Sequence, residues 1–176
     1  ETATGATLRV EGRHLLHIHV LDEALFRVSL QKDAKWRLDR TWTIAPGGDA
    51  PWEGRSRDDL SGFACPAPAI TVSDEELCIA TEALRVRVLS PLQMIWEAKV
   101  GGAWLDFAQD RATGGIHLGL RDHAHAHFLS RAPGEPVFGL GEKTGPLNRA
   151  GKLNEQNRND AMGYDAESTD PLYKHV

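Results

Sequence analysis

Apolar residues recur at every second position along much of this chain, and that pattern constrains its fold more than any other feature. Leu16, Ile18 and Val20 alternate with His17 and His19. After Leu21-Asp22-Glu23-Ala24, a turn, Phe26, Val28 and Leu30 alternate with Arg27 and Ser29. Successive side chains on a strand point to opposite faces, so this spacing predicts a hairpin with one face in the core and the other in water. The middle of the chain repeats the arrangement. Ile70 and Val72 lead into a turn at Ser73-Asp74-Glu75-Glu76, and Leu77 and Ile79 follow. Leu84, Val86 and Val88 are separated by Arg85 and Arg87; Ser90-Pro91 breaks the run, and Leu92, Met94 and Trp96 resume it up to a turn at Gly101-Gly102.

Strands joined by short turns, with hardly a helical period anywhere, predict an all-β sandwich or barrel. Two stretches depart from the pattern. Ala45 to Ala67 is rich in Gly, Pro, Asp and Arg and reads as a long excursion; loops of that length are commonly functional. Gly114-Gly115 marks a shorter irregular stretch. From Val137 onward Gly, Asn and Asp replace the alternation, so Gly139–Asp170 is expected to be mostly loop. Polar loops on a rigid scaffold are where binding residues concentrate.

The 176 residues suit one domain, and a 41% hydrophobic content is enough for an ordinary core. A formal net charge of -5 with no basic stripe argues against a nucleic-acid partner. No apolar run approaches the roughly 18–20 residues that cross a bilayer, so no membrane partner is expected. The opening Glu1-Thr2-Ala3-Thr4-Gly5 has neither a basic head nor an apolar run, so no signal peptide is read there and the expected compartment is the cytoplasm. Cys65 and Cys78 are too few for a disulfide framework and lack zinc-site spacing. They read as two small buried hydrophobes, with a disulfide between them as the alternative.

Several residue groups invite a chemical reading, each beside a plainer one. His17 and His19 share one strand face, as do His123, His125 and His127 if that segment is extended. Such spacing can hold zinc, but no Cys or carboxylate completes a set. A solvated polar face is the simpler reading, and no metal or other cofactor is expected. Gly139-Leu140-Gly141-Glu142-Lys143-Thr144 superficially evokes a phosphate loop, yet Glu142 separates Gly141 from Lys143 and no helical period follows. Its glycines are expected to permit a tight turn. Glu142 and Lys143 are read either as polar interface contacts or as a solvated charged turn. Trp96 continues the inward period and reads as core. Trp52, in the excursion, is the best of the five tryptophans for stacking on a sugar; otherwise it packs the loop down.

The run Phe138-Gly139-Leu140-Gly141-Glu142-Lys143-Thr144-Gly145-Pro146-Leu147 resembles the signature that ends the N-terminal domain of family 31 glycoside hydrolases. Asn159-Asp160-Ala161-Met162-Gly163-Tyr164-Asp165 and Thr169-Asp170-Pro171-Leu172-Tyr173-Lys174 resemble its continuation, although the family typically shows an aromatic residue where Met162 stands and often Asn where Arg158 stands. Over the first two-thirds of the chain the resemblance rests on strand pattern at Leu25–Leu30 and Thr81–Trp96. It implies a galactose-mutarotase-like β-sandwich (a supersandwich), and leaves open that its last strands are missing. Residues 1–136 are expected to supply the sandwich strands, and 137–176 a loop-rich segment facing a (β/α)8 catalytic barrel.

In the family, two barrel Asp residues act as nucleophile and acid/base, retaining the α configuration through a glycosyl-enzyme intermediate. Such chemistry needs carboxyl groups about 5–5.5 Å apart. None of those positions has a counterpart here, so no catalytic residue is assigned, and the chain alone is expected to be inactive. One substrate-binding residue carries over. Asp160 matches an Asp that hydrogen-bonds sugar hydroxyls at the barrel mouth, a task suited to an ionised carboxylate; the plainer reading is a turn-forming Asp. The implied partners are an α-glycoside or oligosaccharide and the intramolecular barrel. An unpaired sheet edge would add self-association of the isolated chain. Two other functions stay open: a stand-alone carbohydrate-binding module using Trp52 or Trp42, and an aldose mutarotase, which needs a paired His and Glu.

Overall fold

The computed structural model describes residues 1–43, 45–119, 125–140 and 145–151. The chain divides into two compact units, Glu1–Ser130 and Arg131–Val176. All the strands of the described residues lie in the first. They are β1 (Gly5–Val10), β2 (His14–Asp22), β3 (Leu25–Gln31), β4 (Ala69–Val72), β5 (Glu76–Ala80), β6 (Leu84–Leu89), β7 (Gln93–Val100), β8 (Ala103–Gln109), β9 (Ile116–Leu118) and β10 (His125–His127). The only helical turn among the described residues is a 3-10 turn at Lys32–Ala34.

Three antiparallel sheets result: β1-β2-β3, β4-β5-β6-β7-β8, and the small pair β9-β10. Register explains how the first two face each other. In the three-stranded sheet Ala6 pairs with Ile18 and Leu8 with Leu16, while Val28 and Leu30 flank the same two β2 residues from β3. In the five-stranded sheet Ile79 pairs with Val86, Leu77 with Val88, and Val88 with Met94. These alternate residues form a single core, in which Leu16, Ile18, Val20, Ile79 and Val86 have no exposed surface. Phe26 and Trp96 meet across it edge to face, with ring centroids 5.9 Å apart. The fold is therefore the expected all-β sandwich, and Trp96 packs against its core. Truncating a side chain such as Ile18 would cost about 2–5 kcal/mol.

Strand entry at Gly5 is set by sterics. Its backbone approaches β2 so closely that a Cβ would lie 1.9 Å from the Ile18 carbonyl oxygen, and its φ of 152° lies outside the usual range for side-chain-bearing residues. Leu92, expected at the start of a strand, sits instead in the turn after Pro91 with φ 73°, yet its side chain still packs against the core. The excursion is longer than its composition suggests: among the described residues no strand occurs between β3 and β4. A bridge between Thr41 and Arg55 closes its centre, and Cys65 N–H donates to the Leu21 carbonyl at 3.0 Å. Both cysteines are free and half-buried rather than core residues. The five-stranded sheet has β4 and β8 at its edges; on β8, Leu105 and Phe107 are more than half exposed.

Candidate functional site

The second unit carries the described part of the signature. Val137 N–H and Ala150 N–H both donate to the Asn148 side-chain oxygen at 3.0 Å, and Arg149 N–H donates to the Val137 carbonyl at 2.7 Å. One asparagine thus holds the backbone on both sides of the signature, at Val137 and at Ala150. Gly139 and Leu140 have φ values of 89° and 68°, as the tight-turn reading of the glycines requires. Phe138 and Leu147 are exposed, at 59% and 75%. Asp160, the sugar-binding candidate, lies outside the described residues, as do Glu142, Lys143, His123 and the signature's continuation.

On the first unit, the sandwich has a cleft of about 590 Å³ between β3, β7 and the β9-β10 pair. Its wall includes Val28, Leu30, Met94 and Ile116, and its mouth includes Trp36 and His127. Asp110 stands behind that mouth with no exposed surface. Its carboxylate accepts the Met94 N–H at 3.0 Å and lies 2.7 Å from Nε2 of His127. Gly115 is needed beside it, because a Cβ there would come within 2.3 Å of the carboxylate. A buried carboxylate held this way fixes the orientation of the imidazole. The mutarotase reading asked for a His and a Glu; the pair here is His127 with an Asp closed off from any ligand. Sequence reasoning did not find Asp110. The available signal was an acidic residue one step beyond the last residue of β8.

His17 and His19 form no metal set, and no group of three or more candidate ligands occurs among the described residues. Their face, read from the sequence as solvated, is only partly open to water, both rings being half-buried. The two rings stack at 5.9 Å with an interplanar angle of 7°, and Trp36 lies 6.4 Å from His17. The hydroxyls of Thr7 on β1 and of Thr4, just before that strand, meet the Nδ1 atoms of His17 and His19 at 3.0 and 3.3 Å. Burial, followed by the neighbouring Arg27 and His17, lowers the His19 pKa below its ordinary value, while Asp58 opposes the shift.

The outer face of the five-stranded sheet is charged. Glu97, 4% exposed, receives two 2.6 Å bonds from the guanidinium of Arg85, which lies 4.6 Å from the centre of the Trp104 ring. Arg87 pairs with Glu76 at 2.6 Å. Hydrogen bonds from these arginines are the largest cause of the lowered pKa values of both glutamates. In the excursion, Trp52 is 92% exposed and does not pack the loop down; its carbonyl instead accepts the Trp42 Nε1–H at 3.1 Å.

Two facing antiparallel sheets define the class, a β-sandwich domain, and the comparisons identify its family. The Glycosyl hydrolase 31 N-terminal galactose mutarotase-like domain matches residues 15–176. This chain belongs to that family. Among solved structures, a family 31 dextranase of Flavobacterium johnsoniae, as a point variant with isomaltotriose and again with glucose, aligns over 98% of this chain at 21% identity and a TM-score of 0.66. The likeness establishes the fold. The chain spans 21% of the length of those dextranase chains. No curated protein matches it significantly. No helix among the described residues is long and apolar enough to cross a membrane.

Proposed function

We propose that this chain is the non-catalytic N-terminal domain of an α-glucosidase-type enzyme that hydrolyses α-linked glycosides with retention. Residues 1–136 supply the sandwich and 137–176 the segment that faces a (β/α)8 barrel, with Asp160 reading sugar hydroxyls. The match of the family over residues 15–176, running through the signature to its end, carries this reading. The described ends of the signature support it: exposed Phe138 and Leu147 are apolar surface available to a neighbouring domain. The two thiols accord with a parent enzyme of the reducing cytoplasm. The test is kcat/KM of the parent enzyme on α-glucosides with and without Asp160→Ala. The expected loss is about one to three orders of magnitude, each tenfold being about 1.4 kcal/mol of transition-state stabilisation. Unchanged kinetics would return Asp160 to a turn role and leave the domain a structural support.

One observation favours a second reading, the carbohydrate-binding module: the exposed indole of Trp52. Calorimetric titration of the chain with isomaltotriose separates the two. Affinity that disappears in Trp52→Ala supports the module, and no heat up to millimolar sugar removes it.

A further inference from the structure

The cleft on the sandwich is chemically lopsided. Its wall is apolar, built from core residues such as Val28, Leu30 and Met94. Its described lining carries three cations at the rim, Lys35, Arg37 and Arg57, while the nearby carboxylates of Asp39 and Asp58 are engaged by the Arg57 backbone N–H and the Trp36 indole. That bias runs against a chain whose formal net charge is -5. Three like charges beside a low-dielectric hollow raise its potential and the local concentration of anions.

The arrangement is also held in place. Arg57 donates through Nε to the Leu38 carbonyl at 3.0 Å, and its backbone N–H donates to Asp39 at 2.7 Å. Its guanidinium carbon lies 5.5 Å from the centre of the Trp36 ring. The indole N–H of Trp36 is in turn anchored on Asp58 at 3.1 Å. A guanidinium whose Nε is committed can still offer its terminal nitrogens to a planar oxyanion. Lys35 and Arg37 are exposed, and no carboxylate pairs with either among the described residues. A volume of about 590 Å³ falls within the range of small-molecule sites, which combine apolar walls with a few placed polar groups.

We infer that this cleft binds a small amphipathic anion: an apolar body inserted between β3 and β7, with a carboxylate, sulfonate or phosphate at the Lys35–Arg37–Arg57 rim. The inference does not rest on the proposed glycosidase role, because none of its residues belongs to the signature segment. It predicts an effector or allosteric ligand chemically unlike a neutral glucan.

Calorimetric titration of the full 176-residue chain with 4-phenylbutyrate and with 4-phenylbutanol tests it. The two probes share the apolar body and differ in charge. The carboxylate is expected to bind about tenfold more tightly at low salt, with the preference shrinking in 0.5 M NaCl as the rim charges are screened, roughly to a 3–5 Å range. Lys35→Glu with Arg37→Glu should erase the preference while leaving the thermal midpoint unchanged, since both side chains are exposed. Should that pair impair folding, Arg37→Ala alone should reduce the preference. Equal affinity for both probes, a preference that survives charge reversal, or no binding by either would overturn the inference. Repeating the titration on the parent enzyme adds one more arm. Binding there supports a ligand site, whereas binding by the chain but not by the parent overturns it and marks the cleft as the seat of another segment of the polypeptide.

Discussion

The outer faces of the two large sheets look alike in sequence and differ in physics. On β6 and β7 the polar positions are Arg85, Arg87 and Glu97, joined by charge-assisted hydrogen bonds and leaning on Trp104. On β2 the polar positions are His17 and His19, stacked on each other, with Trp36 of the excursion 6.4 Å from the first. Alternation marks both faces as non-core. It does not say whether water or another part of the chain lies over them. Where charges of opposite sign sit on adjacent strands, the face can stay open. Where a ring is half-buried, as that of His19 is, burial favours its neutral form.

This contrast can be broken experimentally, and the largest effect is expected on the charged face. Glu97→Ala removes a carboxylate that is almost wholly buried and leaves the partly exposed Arg85 without its partner. Its cost is expected to be about 2 kcal/mol, below the range for a fully buried pair because water reaches Arg85. Urea unfolding measures it; a change under 0.5 kcal/mol would mean that the face is solvated throughout.

A smaller effect separates the faces by pH. The His19 pKa is lowered on folding, so between the folded value and the ordinary 6.5 the unfolded chain binds more protons. The stability contributed by the neutral ring is therefore complete above about pH 6.5 and lost as pH falls through the folded value. His19→Gln should flatten this slope. The charged face should respond only at lower pH. The Glu76 and Glu97 pKa values are lowered from 4.5, so their contribution is complete above that value and lost as pH falls through their folded values. Unfolding midpoints from pH 8 to pH 3, with and without His19→Gln, should resolve two separate losses. A single loss below pH 4.5 in both proteins would show that His19 is not sequestered.

Much of the sandwich was legible because Leu16, Ile18, Val20, Val86, Val88 and Met94 keep strict period two, and all of them reach the core. β8 was not, because a register shift opposite Trp96 and Glu97 changes the phase of its side chains midway. β9 and β10, three residues each, are too short to show a period. β1 carries the right alternation in Ala6, Leu8 and Val10, but it starts on a glycine and its first inward residue is only an alanine. The partial covering of His17 involves Trp36, which precedes the Gly- and Pro-rich part of the excursion and has no local signal for where it folds. The cleft was illegible for the same reason: residues more than ninety positions apart build it. Asp160 was accessible only through the family motif, since a lone Asp before Ala161-Met162-Gly163 has the composition of an ordinary turn.

The central claim is that this domain serves a glycosidase without containing its chemistry. Side-by-side rates of α-glucoside hydrolysis by the 176-residue chain and by its parent enzyme test that most directly. The account predicts turnover by the parent and no rate above buffer for the chain. Turnover by the chain alone, or a parent inactive on every α-glycoside tried, would contradict it.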